Sequence, residues 1–132
     1  MTRAPAAPTG LRGKTVPVLS RLLGVSTIAF GALELAKPDL WAKPTGLGPA
    51  SPAMRAWHHT LGARDVVSGL AMTFAPPGPA LRAATLFRIV SDATDAFAFG
   101  LNAPDAPRKA KAVGAALGYA AVNALSLRWT GR

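Results

Sequence analysis

The 132-residue chain is 50% hydrophobic, and only 16% of it is Asp, Glu, Lys or Arg, against roughly a quarter in an average soluble domain. That length supports one domain with a core of its own, and the apolar content excludes disorder for most of the chain. With no cysteine, a disulfide framework, a thiolate nucleophile and a zinc–thiolate site are excluded. Fifteen Lys and Arg against six Asp and Glu leave a net charge of +9. A nucleic-acid binder can carry such a charge, but it gathers its cations on one exposed face. Here the cations flank apolar segments, as at Lys37 and Lys43, at Arg108, Lys109 and Lys111, and at Arg128 and Arg132. Flanking cations suit a chain anchored at a membrane surface. Membrane lipid is therefore the expected partner, and nucleic acid is not.

In chain order, residues 1–14 are rich in Pro, Gly and cations and read as a flexible basic tail. Arg21 interrupts the apolar stretch that follows, which argues against a signal peptide. Four apolar segments follow within one domain over 15–132: residues 15–36, 56–75, 80–101 and 110–129, each 20 to 22 residues long. As helices they measure about 30–33 Å, close to the hydrocarbon thickness of a bilayer. Lys37-Pro38-Asp39, Pro76-Pro77-Gly78-Pro79 and Asn102-Ala103-Pro104 separate them, and Pro38, Pro44, Pro49 and Pro52 bar a continuous helix through 37–55. Trp41, Leu47 and Trp57 are expected at the membrane interface. The fold class expected is all-α, a four-helix antiparallel transmembrane bundle located as a multi-pass protein in the cell membrane.

A water-soluble four-helix bundle is the competing fold, because the longest uncharged run, Ala112–Leu127, has 16 residues. Against it, the fourth segment has almost no polar stripe to offer water, only Tyr119, Asn123 and Ser126 in its interior. Gly114 and Gly118 form a small-xxx-small face for close helix contact, through which a homo-oligomer or a partner membrane protein is expected.

Charges within the apolar segments are nearly balanced: Arg21, Arg64 and Arg88 against Glu34, Asp65, Asp92 and Asp95. A paired charge costs far less in a membrane than a lone one. Arg88, Asp92 and Asp95 fall at i, i+4 and i+7, within about 60° of one another on one helix face. His58 and Asp65 share a face of the second helix, Thr27 and Glu34 one of the first, and Tyr119 and Asn123 one of the fourth. All four helices can thus turn polar residues inward to a single buried Arg/Asp/Glu network. Such a network either serves as packing glue or forms a site, since two aspartates beside arginines can divide the roles of acid and base.

Weaker signals fail on geometry. His58 and His59 point about 100° apart on a helix and lack a third ligand at i+3 or i+4, so no metal site is expected. Asp92-Ala93-Thr94-Asp95 is a lone DxxD without a second acidic motif. No phosphate loop, nucleophile elbow or dinucleotide fingerprint occurs, so no cofactor is expected.

The runs RLLGVSTIAFGALELAKPDLWAKPTGL, LGARDVVSGLAM and LFRIVSDATDAFAFG resemble short bacterial four-helix integral membrane proteins of unknown function, similar to the membrane part of some polyketide-cyclase-like fusion proteins. Gly31 and Glu34, Gly62 with Arg64 and Asp65, and Arg88 with Asp92 and Asp95 carry the likeness, which spans about residues 21–101. It implies the four-helix membrane fold and no particular activity.

The sharpest functional expectation is an isomerase- or cyclase-type enzyme for a lipophilic small molecule. In it Asp92 or Asp95 acts as general acid or base, Arg64 and Arg88 carry the opposing charge, and Asp65 and Glu34 complete the cluster. His58, Tyr119 and Asn123 contact the ligand. A non-catalytic membrane anchor or accessory subunit, and an oligomeric proton-coupled carrier, are the alternatives.

Overall fold

Four long helices carry most of the described chain in the computed structural model, which describes residues 17–131. The expected basic tail, with Arg3, Arg12 and Lys14, lies outside the described residues, as does Arg132. Helix α1 spans Val18–Ala36, α3 Pro52–Phe74, α4 Pro79–Asn102 and α5 Ala106–Ser126. Between α1 and α3 a 3₁₀ turn over Pro38–Trp41 runs into a single turn of helix, α2, over Ala42–Thr45. No strand occurs among the described residues.

Two helices start earlier than their apolar pattern predicts, at 52 and 106 instead of 56 and 110. Local caps explain this. Ser51 accepts a hydrogen bond from the Met54 amide at 3.1 Å, and Asp105 one from the Arg108 amide at 2.9 Å. Pro52 and Pro107 then occupy the first turn, where no intrahelical N–H is needed. The prolines of 37–55 prevent a continuous helix as expected, yet Pro38 opens the 3₁₀ turn and Pro44 sits within α2. Gly46, at φ 69°, ends that turn in the left-handed region.

Helix α1 lies against α3 along most of its length, and α4 against α5, with thinner contact between the two pairs. Glycines set the α1–α3 seam. Gly24 faces Gly69 and Gly31 faces Gly62, an antiparallel register in which each glycine approaches its partner's backbone. A Cβ on Gly31 would stand 2.6 Å from the Gly62 carbonyl oxygen, and one on Gly69 2.6 Å from that of Gly24. Within the described chain no helix packs on Gly114 or Gly118: a Cβ on either meets nothing within 4 Å. Gly114 lies instead in an open groove with Phe97 and Leu101.

Burial departs from the pattern of a water-soluble protein. Beside Met72 and Leu81, the largest fully buried side chains are Arg88, His58, Asn123, Thr27 and Thr85. Phe74, Phe97, Leu101, Val67 and Val90 are more than 60% exposed. Soluble domains do the reverse, burying large aliphatic and aromatic groups and leaving charges in water. Two helical stretches, Val18–Ala36 and Ala106–Trp129, are long and apolar enough to cross a membrane. Helices α3 and α4 carry the interior charges Arg64, Asp65, Arg88, Asp92 and Asp95 and do not reach that measure.

Candidate functional site

The interior charges meet where α3 faces α4. Arg64 grips Asp95 with both terminal nitrogens, Nη1 to Oδ1 at 2.8 Å and Nη2 to Oδ2 at 2.7 Å. Its Nε and Nη2 also donate to Asp65 Oδ1, at 3.0 and 2.7 Å. Arg88 donates through Nη1 to the same Asp65 oxygen at 2.6 Å, and through Nε and Nη2 to Asp92 Oδ1, the former at 3.0 Å. Arg88 and Asp92 are 2% and 4% exposed, so this is a desolvated network, whose members are costly to leave unpaired. The i, i+4, i+7 stripe read from the sequence accounts for Arg88, Asp92 and Asp95, and α3 supplies the other two partners.

A second buried pair stands apart. Glu34 of α1 meets His58 of α3, Oε1 to Nδ1 at 2.8 Å, and His58 Nε2 bonds the carbonyl oxygen of Leu47. Although His58 and Asp65 share a helix face, the close α1–α3 seam brings Glu34 to His58. A carbonyl oxygen only accepts, so Nε2 carries a hydrogen. The Nδ1–Oε1 contact therefore holds one proton, either on an imidazolium beside a carboxylate or on a carboxyl beside a neutral imidazole. In both cases the pair is electrically neutral.

These groups border a cavity of about 270 Å³, just below the roughly 300–1,000 Å³ range of small-molecule sites. Glu34, His58, Asp65, Arg88, Asp92 and Asp95 form its polar side. Phe30, Trp41, Trp57, Phe99 and Tyr119 wall the rest, with small alanines of α5 between them. The rings meet one another: Phe30 lies 6.3 Å from Trp41 and 6.5 Å edge-on from Tyr119, and Trp57 lies 6.1 Å from Phe99. Tyr119 ties α5 to α1, its hydroxyl 3.0 Å from both Thr27 Oγ1 and the Leu23 carbonyl oxygen. Two polar atoms of the lining residues, Asp92 Oδ2 and Trp41 Nε1, are buried without a partner and out of reach of the cavity.

Of the residues singled out in the sequence, Glu34, His58, Asp65, Arg88, Asp92, Asp95 and Tyr119 line the cavity. Arg64 stands behind Asp65 and Asp95. Asn123 does not reach the cavity; it is fully buried and bonds the Tyr119 carbonyl of its own helix at 2.9 Å. Trp41 and Trp57, expected at the membrane interface, are cavity walls. Phe30 and Phe99 also line the cavity. Their signal was weak, because exposed and cavity-lining aromatics look alike in an apolar helix. Both carboxylates of the DxxD run are held by guanidinium groups, and the described residues contain no His/Asp/Glu cluster shaped to hold a metal ion. The chain matches no protein-family model, no curated protein and no solved structure among those compared.

Proposed function

We propose that the chain is a multi-pass membrane protein whose four long helices enclose a site for a lipophilic small molecule, on which it carries out proton-transfer chemistry. The observation that carries the reading is the cavity itself, with aromatic walls and an ionised, hydrogen-bonded floor inside a protein whose outer face is apolar. Exposed Leu22, Val67, Val90 and Leu117 place such groups on all four long helices, which supports four spans although α3 and α4 carry charge. Their interior charges, Arg64, Asp65, Arg88, Asp92 and Asp95, are paired with one another, the arrangement that makes intramembrane charge tolerable.

Within the site the proton-exchanging role falls to Glu34 and His58. They share one proton and touch the cavity, as a general acid or base must. Asp95 has both oxygens held by Arg64, and Asp92 one by Arg88. These carboxylates shape the field and position the ligand's polar end.

Native mass spectrometry of the detergent-extracted protein tests the reading. A small molecule should co-purify with the chain and be lost when Ala116, on the cavity wall, is replaced by Trp. A bare chain, or one holding only bulk lipid in equal amount in both forms, overturns it in favour of an anchoring or accessory role.

A further inference from the structure

We infer that the open groove between α4 and α5 seats an anionic phospholipid, its phosphate at Lys109 and one acyl chain laid along the helices. The inference rests on the membrane part of the reading above and on nothing in the cavity. The groove holds about 600 Å³, within the roughly 300–1,000 Å³ range of small-molecule sites. Ala106, Lys109, Ala110, Val113 and Gly114 line it from α5 at i, i+3, i+4, i+7 and i+8, a single stripe about 12 Å long. Phe97, Gly100 and Leu101 face them from α4. The groove therefore runs along the helix axes, the direction that acyl chains take beside a spanning helix. Its floor is open: a Cβ on Gly100 meets only Val113, at 3.8 Å, and one on Gly114 meets nothing within 4 Å. Phe97 and Leu101, each 69% exposed, are its largest apolar groups.

Charge selects the occupant. Lys109 is the one charged residue of the lining, it is exposed, and it makes no ion pair among the described residues. It stands near the α4–α5 turn, at the headgroup end of the groove, while Val113 and Gly114 lie deeper. The α1–α3 connection meets that turn, with Gly46 against Pro104. Five more exposed cations, Lys37, Lys43, Arg55, Arg108 and Lys111, belong to this end of the bundle, against Asp39 and Asp105. An anionic headgroup meets that excess, whereas a zwitterionic one also brings an ammonium to it. A second copy of the chain fits less well. Two copies inserted in the same sense about a twofold axis would set Lys109 against Lys109 at equal depth. Phe97 and Leu101 would also hold a partner helix off Gly114, and close small-residue packing needs the backbones to approach.

The test is native mass spectrometry of the full chain in mild detergent, supplied with equimolar dioleoyl phosphatidylglycerol and dioleoyl phosphatidylcholine. The phosphatidylglycerol adduct should exceed the phosphatidylcholine adduct about fivefold or more, the weight of one lysine beside an anionic headgroup. Lys109→Gln should lower that ratio about fivefold. Lys43→Gln removes a cation of the same end outside the groove and should lower it less than about twofold, because solvent and salt screen distant charge. Gly114→Leu puts a side chain into the open groove with every charge in place, and it should lose most of the phosphatidylglycerol adduct. Equal adducts of the two lipids overturn the inference and leave the membrane reading standing. So does a ratio that Lys109→Gln leaves unchanged, one that Lys43→Gln lowers as far, or an adduct that survives Gly114→Leu. A dimer that Gly114→Leu splits gives the groove to a second copy and overturns the inference. A chain that holds neither lipid overturns both the inference and the membrane reading.

Discussion

Gly31 and Gly62 stand so close across the α1–α3 seam that a Cβ on one would fall 2.6 Å from the other's carbonyl oxygen, and in the reverse direction 2.9 Å. This approach positions the site, because it sets Glu34 and His58, one turn beyond the glycines on their helices, at hydrogen-bond distance. The backbone of each helix fills the space where the other would place a side chain.

Gly31→Ala therefore forces the two backbones apart. It should lower stability by about 1–3 kcal/mol, the range for overpacking, and stretch the Glu34–His58 contact. Gly114→Ala is the control. Open space surrounds that position, and alanine gains roughly 0.5–1 kcal/mol over glycine in a helix interior. Thermal unfolding in detergent, followed by circular dichroism, should separate the two variants in opposite directions. Loss of stability in Gly114→Ala would instead mean that a partner helix covers α5.

Removing Arg88 strands one carboxylate and weakens the hold on a second. Arg88→Met leaves Asp92 without its guanidinium and Asp65 with Arg64 alone. The expected loss is about 3–5 kcal/mol, as for breaking one side of a buried ion pair. The double variant Arg88→Met, Asp92→Leu should recover much of it, because the most deeply buried charge pair then leaves together. Arg108→Ala offers the contrast. Its pair with Asp105 is 3.4 Å long and nearly half exposed on both sides, and a surface pair of this kind contributes about 0–1 kcal/mol. Equal melting temperatures for Arg88→Met and Arg108→Ala would show that the network does not hold the helices.

Much of this arrangement was legible in the sequence, and the part that was not has a geometric cause. Spacing along one helix gives residues a common face, so Arg88, Asp92 and Asp95 could be grouped from numbering alone. Spacing does not say which face of another helix arrives opposite. His58 and Asp65 share a face of α3, yet Glu34 reaches His58 because the glycine seam lets α1 in so close. The same limit hides the pairs Gly24–Gly69 and Gly31–Gly62, where small residues recur at seven and meet only once the second helix is in place. Helix ends moved for a different reason: Ser51 and Asp105 cap ahead of the apolar pattern. Asn123 shares a face with Tyr119 but lies beyond the reach of the cavity.

The proton held between Glu34 and His58 is directly observable. Leu47 fixes a hydrogen on Nε2, so in ¹⁵N-labelled protein His58 Nε2 should show the protonated shift throughout. Its Nδ1 shift should fall between those of protonated and bare nitrogen, or split between them. Glu34→Gln preserves the shape, with the amide donating to Nδ1, and removes the shared proton. That variant should show the neutral Nε2–H tautomer and unfold within about 1 kcal/mol of the native chain, as shape-preserving changes do. Turnover of a substrate recovered from the cavity should fall about 10²-fold or more, the size of a lost acid–base contribution. A His58 Nδ1 that stays protonated in Glu34→Gln would mean the two residues do not share a proton.

Val90 decides what surrounds the protein. It sits near the middle of α4, 63% exposed, on the side away from the buried Arg88 and Asp92. Val67, 66% exposed, has the matching position on α3. In water a lysine at either site would be welcome, because a surface charge improves solubility and costs within about 0.5 kcal/mol. In a bilayer it would stand near mid-depth, where a charge costs about 2.5–3.5 kcal/mol on the insertion scale. The Val67→Lys, Val90→Lys double variant should therefore leave the alkali-washed membrane fraction and be degraded or aggregated, while Lys at the already exposed Pro77 of the α3–α4 turn should leave membrane retention unchanged. Because α3 and α4 are the two helices whose composition falls short of a spanning segment, the result bears on the spans that composition leaves open. A double variant that is more soluble and otherwise unaltered would establish a water-exposed outer face and remove the membrane from the account.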